Sequence, residues 1–455
     1  MTAKRSLTVW GVWAVAALFY TVAIINRTSL AALGPAAQDH FSIDATTLSS
    51  FAVLQLIVYA GLQIPVGLVL DRVGPTLVLL SGGVLMLVGQ TLMATVDAIP
   101  LVILARVLVG AGDACTFISV MRVLGEWFPV RQLPVVSQIT ALLGQAGQLV
   151  AVTPLSLAVG WLGWAGGFLG IVAVGLLVTL LGFFVLRDYP GAGTALERMR
   201  RRQGRRSRDA TPSVSYSSVL TDSIPVVSAA RLDPEEQRLR DIVPRLFALI
   251  RIPGIRLAFW VHFAPPFAIN VFVLLWGYPF LMGGVGLDRA GAAGLLSVGV
   301  VASMIAGLVI GPLTARFAGQ RVWFVIAIVL GTAGSWIAVL LHPGTPPMWL
   351  LVLMIVLMAI GGPASMVAFE VVRTHAPPSQ AGVATGLVNM GGFTASLLCI
   401  LLVGVSLDLQ GAGSPETYSM DAFRNAFALQ LPFWGLGLAM MLVELLRTRR
   451  ALRNP

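Results

Sequence analysis

Residues 67–76 read Gly67-Leu68-Val69-Leu70-Asp71-Arg72-Val73-Gly74-Pro75-Thr76 and lie between two long apolar runs. In lipid every backbone polar group must be satisfied within its own helix, and charges are costly there. An Asp-Arg pair in a tight turn between two such runs therefore belongs at a membrane face, where it stays wet. Gly74 and Pro75 suit a chain reversal, the one by tolerating left-handed backbone and the other by fixing φ. The stretch marks a joint between two spans.

The rest of the chain agrees. Its 455 residues are 57% hydrophobic and 11% charged, with a mean hydropathy of +0.87. A soluble domain has about 25% charged residues, so this composition describes an integral membrane protein. The formal charge of +10 would suit a nucleic-acid partner if it were clustered on a folded domain. Instead 26 of the 30 Lys and Arg fall on one side of the expected spans. That is the positive-inside pattern, and it excludes nucleic acid in favour of a plasma membrane with both termini cytoplasmic. The scarcity of Lys among the basic residues hints at a GC-rich bacterial source. Met1–Arg5 reads as a short basic tail rather than a cleavable leader. Cys115 and Cys399 lie in separate spans and read as small buried apolar residues, not a disulfide.

Apolar runs long enough to span number twelve: about 7–32, 47–70, 76–96, 99–123, 133–157 and 165–186, then about 254–282, 290–314, 322–341, 347–373, 381–407 and 425–446. The expected fold is all-α: twelve transmembrane helices in two pseudo-symmetric six-helix bundles, 1–186 and 254–455. A cytoplasmic linker, 187–253, joins them. Seven arginines lie between Arg198 and Arg208, a solvated tether or a patch for anionic membrane lipid. From about Pro234 to Ile252, charges interleave with Leu239, Ile242, Leu246 and Leu249, the pattern of an amphipathic surface helix. An internal echo supports the two-part plan: Gly311-Pro312-Leu313-Thr314-Ala315-Arg316 repeats the first turn between spans eight and nine, with Ala315 in place of the acid.

Four stretches together resemble the major facilitator superfamily. The 67–76 turn is similar to G-x-x-x-D-R-x-G-R, although Pro75 and Thr76 replace basic residues. Arg106-Val-Leu-Val-Gly110-Ala-Gly112-Asp113 is similar to R-x-x-x-G-x-G-E. Gly125-Glu126-Trp127-Phe128-Pro129-Val-Arg131 resembles the WFP junction after the fourth helix. Gly382 to Phe393 resembles the glycine-rich eleventh helix. The helix-five motif of drug exporters is missing; Gly144-Gln145-Ala146-Gly147-Gln148 stands there instead. Span one carries Tyr20 and then Asn26-Arg27-Thr28-Ser29. Sialin-like anion:cation symporters and organophosphate antiporters, and in part nitrate/nitrite-type branches, show similar features.

The residues carry a chemistry of their own. A guanidinium within a span costs at least about 2.5 kcal/mol on insertion scales, so Arg27 needs a cavity, a partner or a route to the headgroups. Its fork suits a carboxylate or phosphate. Arg27 is thus either an anion anchor or a rim residue. Arg106 and Asp113, seven apart on one helix, share a face, so their heads are expected to meet directly or through water. An acid so placed is suited to load and release a proton, and competition for its arginine would couple proton to substrate; a static pair is the plain alternative. Glu370, with Arg373 three residues on, is a local ion pair or a second proton site. Tyr20, Tyr59, His262, Asn270 and Asn389 are the further substrate-binding candidates, since spans one and seven are symmetry mates.

The resemblance implies that Asp71 faces the N-terminus of helix eleven near Gly382 as a gate, and that Arg72 bridges to an acid beside helix four, Glu126 being the nearest candidate; a pair of solvated turn charges that only fix topology is the plain alternative. Gly67, Gly74 and Arg316 complete the gating set. No phosphate-cradling loop, metal cluster or nucleophile-base arrangement is legible, so no enzyme, cofactor or metal is expected. The expected function is proton-coupled transport of a small organic anion by a monomer that alternates access. Two alternatives remain at this point: export or exchange of a neutral or zwitterionic solute such as a small peptide or drug, and a non-transporting sensor.

Overall fold

The computed structural model describes residues 3–43, 45–152, 154–197, 242–412 and 417–453. The arginines of 198–208 and the start of the expected surface helix lie outside the described residues.

The first bundle comprises α1 (Ala3–Ala32), α3 (Ala45–Val73), α4 (Pro75–Thr95), α5 (Ile99–Trp127), α6 (Leu133–Val152) and α7 (Pro154–Val185). A short helix, α2 (Gly34–Phe41), joins α1 to α3. Helix α7 breaks at Gly163, whose φ of 74° few side chains tolerate, so its first turns belong to the fifth span and the rest form the sixth. Then come α8 (Ile242–Arg251), α9 (Pro253–Phe263), α10 (Phe267–Val271), α11 (Arg289–Arg316), α12 (Arg321–Leu341), α13 (Met348–Ser365), α14 (Val367–His375), α15 (Ala381–Leu409), α16 (Met420–Ala428) and α17 (Leu431–Arg453). Among the described residues eleven helices are long and apolar enough to cross a membrane. The 20-residue α6, packed between α1 and α11, completes the twelve spans.

Two spans are discontinuous, and both breaks have a cause in the sequence. The seventh bends at Pro265-Pro266, where two missing N–H groups end α9, and continues past α10 as π-turns over Phe272–Trp276 and Phe280–Gly284. The tenth breaks at Met366, just after Pro363, into α13 and α14. Such breaks free backbone carbonyls from their helical partners.

The 67–76 turn is built as its residues demand. Gly74 has φ 87° and caps α4, with Pro75 in its first turn. The Asp188 carboxylate, arriving from the end of the sixth span, accepts from the Thr76 N–H at 3.0 Å, and a Cβ on Gly74 would strike it. Asp188 thus supplies one acceptor that the first turn of α4 lacks.

The 67–76 turn, the end of the sixth span, the Trp127-Phe128 end of α5 and the first turns of α1 come together at one face, which we call the basic face. The hydrogen bonds that join the bundles run from there to the midplane. Gln138 on α6 donates to the Pro363 carbonyl at 2.7 Å, and Gln145 to Ser303 at 2.8 Å on α11. Between α3 and α15 the backbones themselves meet, because Gly67 and Gly382 carry no Cβ. One added to Gly67 would sit 2.8 Å from the Gly382 carbonyl oxygen.

Candidate functional site

Arg27 and Asp113 form a two-pronged ion pair at the centre of the first bundle. Arg27 Nε donates to Asp113 Oδ2 at 2.6 Å and Nη2 to Oδ1 at 2.9 Å. The Asp113 side chain is 1% exposed and that of Arg27 17%, so the arginine alone of the two is open to a solute. The Tyr59 ring lies 4.5 Å from the Arg27 Cζ and the Phe393 ring 5.7 Å, the latter contributed by the second bundle. Removing one partner of such a buried pair costs about 3–5 kcal/mol, whereas a competing anion takes the guanidinium without stranding it.

This corrects the expected partnership of Arg106 with Asp113. Arg106 is fully buried, and its Nη1 donates to Gln55 Oε1 at 3.0 Å on α3. Among the described residues its Nε and Nη2 have no partner, nor does Gln55 Nε2. Asp113 sits on the same helix, but both its oxygens are held by an arginine 86 positions away in sequence. Shared helix face therefore gave way to a tertiary contact.

Around the pair lies a polar and aromatic layer spanning both bundles. Asn389 Nδ2 donates to the Tyr59 hydroxyl at 2.9 Å and to Gln63 Oε1 at 2.8 Å, and Asn389 Oδ1 lies 3.0 Å from His262 Nε2. Tyr20 packs against Phe117 at 5.5 Å, Phe117 against Phe369 at 5.0 Å, and Phe369 against His262 at 5.0 Å. Tyr20 also fits against the bare Gly144 of α6. Of the candidate substrate residues, Tyr20, Tyr59, His262 and Asn389 thus join one network with Arg27. Asn270 does not: its amide donates to Ser396 at 3.0 Å within the second bundle.

At the basic face Asp71 accepts from the N–H groups of Gly382 at 2.8 Å and Val383 at 3.0 Å, the first turn of α15. A helix N-terminus attracts an anion through its free N–H groups and dipole. The cation that holds Glu126 is Arg122, one turn back on α5 at 3.2 Å, where Arg72 had been expected. Arg122 also approaches Asp71 at 3.8 Å and donates to the Pro378 carbonyl at 3.2 Å. Glu370 pairs with Arg373 at 2.7 Å, and Arg373 in turn donates to the Met121 carbonyl at 3.4 Å. Arg316 is exposed beside Phe317; the echo has no acid to match Asp71, and Gly311 packs directly on Gln138 and Pro134 of α6.

Arg122, Gln55, Gln63, Phe117, Phe369 and Phe393 join the site without having stood out in the sequence. The spacing of Arg122 and Glu126 was a usable signal, an i,i+4 pair beside the WFP junction. The others are ordinary residues until the helices pack.

A profile of the Major Facilitator Superfamily matches residues 16–399. The chain belongs to that superfamily, a family of transporters and not of enzymes. It is 25% identical over 173 residues to the Probable sulfoacetate transporter SauU of Cupriavidus necator, covering 38% of this chain and 40% of that protein. It is 30% identical over 156 residues to the Oxalate:formate antiporter of Oxalobacter formigenes, covering 34% and 36%. To the Probable L-galactonate transporter of Escherichia coli it is 27% identical, with 38% of each covered. The chain therefore spans well under two thirds of these curated relatives. Among solved structures, FucP in the outward conformation matches with a TM-score of 0.63 at 17% identity, covering 93% of this chain and 98% of that one. An inward-facing bacterial homolog of the lysosomal transporter Spinster matches at 0.57 and 16% identity, covering 98% and 97%. Both share the twelve-helix fold.

Proposed function

We propose that the protein moves a small organic anion together with a proton across a bacterial plasma membrane by alternating access. The observation that carries this is the two-pronged Arg27–Asp113 pair, half open through its arginine. An entering carboxylate takes the guanidinium, Asp113 loses its counter-charge, and a proton then neutralises the acid left in a low-dielectric interior. Substrate and proton thus load together, and neither leaves without restoring the pair. The relatives named for sulfoacetate, oxalate and formate, and galactonate support an anionic substrate. With the arginine-rich face cytoplasmic, the Asp71–α15 contact and the two crossing arginines close the inner side, and the pair is reached from outside. The linker before α8 would act as a tether, and membrane lipid is the partner of its basic residues.

A second reading is exchange of one anion for another. It is favoured by Arg106, which sets two guanidinium groups, its own and that of Arg27, against the single carboxylate of Asp113 away from the basic face. A bound anion then balances the charge with no proton at all.

Proteoliposome uptake separates the two. A pooled panel of carboxylates and dipeptides would be tested with an inward proton gradient, with an internal carboxylate load, and with neither, on wild type, Arg27→Ala and Asp113→Asn. Gradient-driven anion uptake lost in both variants supports symport. Uptake that needs internal anion and ignores the gradient supports exchange. Dipeptide uptake that survives Arg27→Ala would sink both.

A further inference from the structure

The hydrogen-bond chain through Asn389 fixes which nitrogen of His262 carries the proton. Gln63 Nε2 donates to the Tyr59 backbone carbonyl at 3.1 Å, which turns Gln63 Oε1 toward α15. Asn389 must therefore present its NH2 there, at 2.8 Å, and its second hydrogen goes to the Tyr59 hydroxyl oxygen at 2.9 Å. Asn389 Oδ1 is left for His262 Nε2 at 3.0 Å. A carbonyl oxygen only accepts, so a neutral His262 carries its hydrogen on Nε2. Its Nδ1 is then a bare lone pair, buried and without a partner among the described residues.

That vacancy is out of keeping with its setting. The side-chain nitrogens and oxygens of Gln63, Tyr59 and Asn389 in this hydrogen-bonded row each have a partner, and the flanking wall includes the Phe369 ring, 5.0 Å from the imidazole. An acceptor left unmet in such a place costs about 1–3 kcal/mol. The same chain ends at Tyr59, whose ring lies 4.5 Å from the Arg27 guanidinium carbon. The bare nitrogen and the anion anchor thus stand on opposite bundles, joined through one tyrosine and one amide.

We infer that His262 Nδ1 reads a hydroxyl of the transported acid, so that the substrate is a short hydroxylated carboxylate. Its carboxylate lies on Arg27, and when the bundles enclose it an O–H donates to His262. The inference rests on the anion-anchor reading of Arg27 and narrows the substrate class. A deoxygenated analogue fills the same space and leaves the acceptor unmet, which is how a site rejects a molecule that differs by one hydroxyl.

The test uses purified full-length protein and matched pairs of probes, glycerate against propionate and gluconate against hexanoate, with thermal stabilisation as the readout. In wild type the hydroxylated member should act at concentrations at least ten-fold lower. Two variants isolate the nitrogen. His262→Gln keeps a donor for Asn389 but has no acceptor at the Nδ1 position, and should lose the ten-fold preference. His262→Asn keeps a group at the Nδ1 position and should retain it. Equal response to both members of each pair in wild type overturns the inference and leaves the anion reading standing, provided Arg27→Ala abolishes the response. A response to either probe that is indifferent to Arg27→Ala overturns both. The wild-type comparison decides the matter even where a variant folds poorly.

Discussion

Arg122 of the first bundle donates to the carbonyl of Pro378 in the second, across 3.2 Å. Arg373 does the converse, donating from α14 to the Met121 carbonyl of α5 at 3.4 Å. The two arginines sit on the fourth and tenth spans, which hold equivalent places in the two halves. Each is steadied by an acid on its own helix, Glu126 for Arg122 and Glu370 for Arg373. The bundles therefore clasp one another reciprocally at the basic face.

Loosening this clasp should shift the conformational balance. A hydrogen bond from a charged donor contributes about 1.5–3 kcal/mol, so Arg122→Gln or Arg373→Gln should each populate a state open at the basic face. Spin labels at the ends of α3 and α15 nearest that face would report longer distances in either variant. Distances identical to wild type in both would show that the clasp holds nothing shut.

Gly67→Leu should act on the same face by sterics alone. A Cβ there already lies 2.8 Å from the Gly382 oxygen and the Val383 Cα, so a larger side chain must part α3 from α15. Asp71→Asn weakens the same joint differently, by removing the charge that the α15 N-terminus holds at 2.8 Å and 3.0 Å. Alkylation of a cysteine introduced in place of Val383, which is buried at the joint, should quicken in both. Unchanged labelling would count against a gate here.

The Arg27–Asp113 pair should be energetically coupled. Arg27→Ala or Asp113→Ala strands a buried charge and should cost about 3–5 kcal/mol each. The double variant strands none, so its loss should fall short of the sum by about 0.5–3 kcal/mol. Denaturation of the four proteins in detergent supplies the cycle; strict additivity would mean the pair is incidental.

Arg106→Gln tests the charge balance of the site. Removing the second guanidinium leaves one cation against one acid, so a bound anion then requires a proton to balance it. If the wild type exchanges anions, this variant should become dependent on a proton gradient, with uptake steepening as the outside is acidified. A wild type and a variant with the same gradient dependence would remove Arg106 from the coupling scheme.

The fold was legible because membrane spans obey few rules: run length, turn residues and the sidedness of arginine, all local in sequence. The 67–76 turn shows this well, since Gly74 and Pro75 adopt the geometry that their chemistry requires. Long-range pairing was less legible. Arg106 and Asp113 share one helix face, and a sequence offers no hint that an arginine on α1 reaches Asp113 first. Asp71 could be matched to Gly382 only through the family likeness, as nothing in a turn names a partner 311 residues away. The aromatic row from Tyr20 to His262 was invisible for a simpler reason: Phe117 and Phe369 look like any other phenylalanines in apolar runs.

Arg256 ties the helix ahead of the second bundle to that bundle. Its Nη1 takes up the carbonyls of Ile250 at 2.9 Å and Arg251 at 2.7 Å, the end of α8, while Nη2 meets Glu444 of α17 at 2.9 Å. Glu444, wholly buried, is shared with Arg447 at 2.8 Å. Helix α8 is thus fastened to the second half through Arg256, and we expect the divide between the two halves to fall before Ile242. Two polypeptides, produced separately and meeting at that divide, should reassemble into a working carrier; a cut between α8 and α9 would instead leave Arg256 with no carbonyls to grip and Glu444 short of its anchor's footing.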